Sequence, residues 1–104
     1  MKLLLAGLTA SSIVLAPNSY GFPVVGGNGL SSNAWAIINY VQANYPGVQS
    51  IGGVRQDYLP DHPSGRAVDI MIGGNMGLGD AIAADLRSQA GRFNISYCLS
   101  LIHI

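Results

Sequence analysis

Apolar positions along the chain fall into blocks of different period. The first block, MKLLLAGLTASSIVLA, is an almost unbroken apolar run behind one lysine. Its length and its small residues fit a secretory signal or signal-like segment, taken as residues 1–21, rather than a spanning helix. Residues 22–31 are rich in Gly, Pro and Asn and are expected to be a linker. From Ser32 the period becomes helical. Trp35, Ile38, Val41 and Tyr45 approximate one face with Ile37 beside it, Ser31 or Ser32 can cap the start, and Pro46-Gly47 ends the helix.

The next blocks are short and β-like. VQSIGGVR predicts a strand, and its adjacent Gly52 and Gly53 predict a bulge or a close backbone approach. QDYLPDHPSG is a loop. RAVDIMI alternates and is β-branched, predicting a strand from about Ala67 to Ile72. Asp69 and Met71 would share one face of it, and Val68, Ile70 and Ile72 the other. GGNMGLG is a second loop. DAIAADLRSQAG predicts a second helix with Asp80 at its N-terminus, Arg87 near its end and Gly91 as its stop, and FNISYCL begins a third strand. The order of helix, strand, strand, helix, strand implies an α+β domain, two helices packed on a small antiparallel or mixed sheet.

Composition narrows the possibilities. The chain has 104 residues, no net charge and an apolar fraction of 49%. That is one small domain with enough apolar material for a core. Five basic residues in a neutral chain argue against nucleic acid or a membrane surface held by charge. Without its leader the domain would be near the size where a core alone is marginal, and a bound metal would help it. A single cysteine, Cys98, excludes an intrachain disulfide. There is no phosphate loop, nucleophile motif or paired Cys to support a transfer or redox enzyme. Asn94-Ile95-Ser96 matches a glycosylation sequon, a pattern common by chance.

The charges are unevenly placed. Lys2 is the only one before Arg55, and there is no Glu, so carboxylate chemistry falls to Asp57, Asp61, Asp69, Asp80 or Asp85. The stretch DHPSGRAVDI gathers Asp61, His62, Arg66 and Asp69. His62 on the loop and Asp69 on the strand can converge if Gly65 lets the chain fold back. An imidazole and a carboxylate are ordinary zinc ligands, though a catalytic site needs a third ligand and a water. Arg55, ending the preceding strand, can bind a substrate carboxylate or carbonyl. The alternative is a structural ion-pair network in which Asp69 pairs with Arg66 or Arg55.

The pattern His62-x-x-Gly65-x-Ala67-x-Asp69 resembles the zinc D-Ala-D-Ala carboxypeptidases and dipeptidases, whose fold is shared with the hedgehog signalling domain and with phage endopeptidases. The wider stretch from Ser32 to Tyr97 is similar to a secreted actinobacterial and actinophage domain. The resemblance implies a peptidase-like domain over residues 32–97, with zinc held by His62 and Asp69 and Arg55 contacting the substrate. It further implies peptidoglycan stem peptides as substrate and a secreted or cell-wall-associated location. Two departures stand out. Pro60 replaces the Ser two residues before the motif His, and the C-terminal His ligand and its neighbouring acidic base have no counterpart here. His103 is not expected to fill that role. The final CLSLIHI is similar to a translated sequencing-adapter read-through, so residues 98–104 are expected to be a non-native tail and the domain incomplete at its C-terminus. The expectation is a zinc metallopeptidase fragment, inactive by itself. The rival from another class is a non-catalytic wall-binding module.

Overall fold

The structure is a computed structural model that describes residues 2–6 and 22–101. Five strands form one sheet in the order β2-β3-β4-β1-β5. They are β1 (Lys2–Ala6), β2 (Val24–Val25), β3 (Ser50–Gly52), β4 (Val68–Met71) and β5 (Tyr97–Leu101). β2 runs parallel to β3, and the other pairs are antiparallel, so the sheet is mixed. Among the described residues three helices accompany the sheet: α1 (Ser32–Asn44), α2 (Met76–Ser88) and the single-turn α3 (Ala90–Phe93). The α+β architecture expected from the order of elements is therefore present. Among the described residues no helix is long and apolar enough to cross a membrane.

The core lies on one face of the sheet. The register sets Leu3 opposite Ile70, Ile70 opposite Ile51, and Leu5 opposite Val68. Opposed residues project to the same side, and these five are fully buried. They join Ala34, Ile37, Ile38 and Val41 of α1, Ile82, Ala83 and Leu86 of α2, and Phe93 of α3 in one cluster. Of the α1 stripe read from the sequence, Trp35, Ile37, Ile38 and Val41 are buried, and Tyr45 at the C-cap packs half-buried against the cluster. Ser31 caps that helix, its hydroxyl accepting from the Ala34 amide at 3.2 Å. The other face carries Leu4, Gly52 and Asp69, side by side in the register. That face holds the charged cluster.

Several sequence expectations shift. α2 begins at Met76, not Asp80: the Asn75 side chain accepts from the Leu78 amide at 3.0 Å and supplies the cap. Asp80 is exposed within that helix. Gly91 lies inside α3, and the turn is ended by Asn94 in the left-handed region. The strand read from VQSIGGVR shortens to three residues, because beyond Gly52 the chain turns to meet Gly26. Residues 22–31, expected as a linker, pack onto the domain: Val24–Val25 form the edge strand, and Phe22 and Leu30 are buried. Of the signal-like stretch, Lys2–Ala6 form the strand between β4 and β5, and 7–21 lie outside the described residues. Of the expected tail, Cys98–Leu101 belong to β5, and the remainder, His103 included, lies outside them. Burial pushes the half-buried Cys98 thiol above its usual pKa, against the character of a nucleophile.

Candidate metal centre

The site is built where β3, the 53–66 loop and β4 meet. β4 turns Asp69 away from the helix-packed face, yet the residue remains only 3% exposed. The loop returns His62 to it through a tight turn. Its hydrogen bonds run from Ser64 N to Pro60 O, Gly65 N to His62 O and Arg66 N to Asp61 O. Gly65 has φ +77°, and an added Cβ would collide with the Gly29 carbonyl oxygen. The role given to Gly65 by the sequence is the one it plays: a left-handed residue against another segment's backbone.

Gly53 contributes in a different way. A Cβ there would lie 2.5 Å from the Gly26 carbonyl oxygen, so the paired glycines mark a close backbone approach. The Gly53 carbonyl oxygen lies 3.0 Å from His62 Nδ1. A carbonyl only accepts, so Nδ1 carries the hydrogen in this contact. In the neutral ring Nε2 then presents its lone pair. This is how a second-sphere carbonyl orients a metal-ligating histidine.

Nε2 faces Asp69 Oδ1 at 3.4 Å, and both atoms are buried with no hydrogen-bond partner among the described residues. With Nε2 unprotonated, two acceptors face one another in a buried place, which is unfavourable unless a proton or a bound cation lies between them. A charge-assisted hydrogen bond would draw them to about 2.7–2.9 Å. Two ligands each about 2.0–2.1 Å from a zinc ion, at the tetrahedral angle, stand roughly 3.3–3.4 Å apart. His62 and Asp69 therefore fit a zinc ion as two of its ligands. Among the described residues no group of three His, Cys, Asp or Glu surrounds the point.

The second oxygen of Asp69 is differently occupied. Arg55 Nε donates to Oδ2 at 3.4 Å, while its Nη1 donates to Asp57 at 3.2 Å. Lys2 Nζ lies 3.8 Å from the same Oδ2. Arg66 instead approaches Asp61 at 4.0 Å. The three residues singled out in the sequence, Arg55, His62 and Asp69, thus converge. Lys2 was not anticipated; its being the lone charge before Arg55 was the available signal.

The comparisons with known proteins meet this geometry. The family model of the VldE C-terminal domain matches residues 26–99, well over half of the chain. The chain belongs to that family. The matched span runs from Gly26, just after β2, into β5 and includes Arg55, His62 and Asp69. No curated protein and no solved structure matches the chain. In this VldE C-terminal domain, the whole cluster except Lys2 lies inside the family span.

Proposed function

We propose that the chain is part of a zinc-dependent peptidase domain that hydrolyses stem peptides of peptidoglycan, as its resemblance to the D-Ala-D-Ala carboxypeptidases and hedgehog-type peptidases implies. The observation that carries the reading is the buried pair of unpartnered atoms, His62 Nε2 and Asp69 Oδ1, 3.4 Å apart. His62 and Asp69 would hold the metal. When bound, zinc would supply a Lewis acid for the scissile carbonyl and lower the pKa of a water. Gly53 keeps the His62 lone pair directed inward, and Arg55 keeps the Asp69 carboxylate from rotating. Arg55 is 46% exposed at its side chain, so its guanidinium can also meet a substrate oxygen.

With two ligands and no assigned base among the described residues, this chain alone is expected to bind zinc weakly and to be inactive. A secreted or wall-associated location is inferred from the signal-like stretch at residues 1–21, with Lys2–Ala6 retained in the sheet rather than cleaved away. The direct test is titration of zinc into the chain. Binding is expected at one site that His62→Ala and Asp69→Asn both remove. Equal binding by those variants would leave a structural ion pair. Release of D-Ala or stem peptides from purified peptidoglycan by the full-length gene product would establish the peptidase. Zinc binding with no release would favour the wall-binding module.

A further inference from the structure

We propose that Lys2 is an internal counter-cation that competes with zinc for Asp69 and so lowers the metal affinity of the site, an inference that rests on the zinc reading above. Strand alternation in β1 sets Lys2 and Leu4 on one side, and the register lays Leu4 opposite Asp69 and Lys2 opposite Met71. The lysine therefore reaches along the sheet surface to the carboxylate of the neighbouring strand. Its Nζ is 3.8 Å from Asp69 Oδ2, and its side chain is 18% exposed. Arg55 takes the same oxygen but is also held by Asp57.

Asp57 and Asp69 balance Lys2 and Arg55, so this cluster is neutral with His62 uncharged. A divalent ion against Oδ1 would place two further positive charges within a few ångströms of the ammonium. Like charges at that range repel even in a water-rich setting, and burial strengthens the effect. The ammonium must swing away or endure the repulsion. Either way, part of the zinc binding free energy is lost. Arg55 is fixed by its second carboxylate, whereas Lys2 is carried by β1, outside the family span.

The experiment is competition for Zn2+ between the full chain and a chromophoric chelator. Lys2→Met, which keeps the apolar stem, is expected to tighten zinc binding about three- to tenfold. Lys2→Arg, which keeps the charge, is expected to stay within about twofold of wild type. Lys2→Gln is the second neutral variant should Lys2→Met lose its cooperative melt, and His62→Ala identifies binding elsewhere. Unchanged or weaker affinity in folded neutral variants overturns this proposal while the zinc reading stands. No His62-dependent binding in wild type or variants overturns both.

Discussion

Gly65 shows how much of the site depends on one missing methyl group. The turn that returns His62 to Asp69 needs a left-handed residue, and the space where a Cβ would go is taken by the Gly29 carbonyl. Gly65→Ala combines backbone strain with a backbone clash. It is expected to destabilise the fold by about 2–4 kcal/mol, measured by chemical denaturation, and to weaken zinc binding with it. A loss below about 0.5 kcal/mol would mean that the turn is not as constrained as its geometry indicates. Gly65, His62 and Asp69 were legible because their spacing and the alternation of β4 are local. The free Nε2 was not, because it depends on the Gly53 carbonyl, just beyond β3 and nine residues away. A ring nitrogen's role is set by what its other nitrogen bonds.

At the scale of elements, the helices are joined by a clasp that the sequence pattern did not disclose. Tyr40 and Tyr45 of α1 and its C-terminal cap both donate to Asp85 Oδ2 on α2. Gln89 donates to Asp85 Oδ1 at 2.6 Å and is itself held by Arg92 at 2.7 Å. The Tyr45 and Tyr40 hydroxyls hold the Asp85 carboxyl below its usual pKa, and the Asp85 bond pushes the Tyr45 phenol up to about 12. The two shifts act at opposite ends of the pH scale. Asp85 stabilises the fold above its unfolded pKa of about 3.9, and that share is lost as pH falls through the lowered folded value. Tyr45 adds stability that is complete below its unfolded pKa of about 10 and is lost as pH rises from there through about 12. Thermal melts from pH 2 to 12 are expected to show both losses at about those limits, with the acid limb flattened in Asp85→Asn. An unaltered acid limb in that variant would show that other groups govern it. Aromatic positions on a helical stripe announce a core, but which phenol finds which carboxylate depends on how two helices are set against one another.

At the scale of the whole molecule, β1 is the structural surprise. A stretch with the look of an export leader supplies the strand between β4 and β5, with Leu3, Leu5 and Ala6 fully buried. Leu5→Ala is expected to cost about 2–5 kcal/mol, read from the shift of the denaturation midpoint, because it leaves a cavity between sheet and helices. A cost under about 1 kcal/mol would place Leu5 outside the cooperative core. Excision of a leader containing Lys2–Ala6 would also take Lys2 from Asp69. Intact-mass analysis of the protein recovered from expressing cells reads this directly.

Sequence by itself determined the helical stripe of α1, the alternation of β4, the turn at Gly65 and the candidate trio Arg55, His62 and Asp69. Each depends on neighbours a few residues apart, where backbone periodicity and side-chain chemistry suffice. Tertiary structure alone decided the inner position of β1, the folding of residues 22–31 onto the domain, the Asp85 clasp and the approach of Lys2 to Asp69. These depend on strand register and helix packing between distant segments. An apolar run reads the same whether it ends in a membrane, a signal channel or a sheet, because burial alone does not specify the partner.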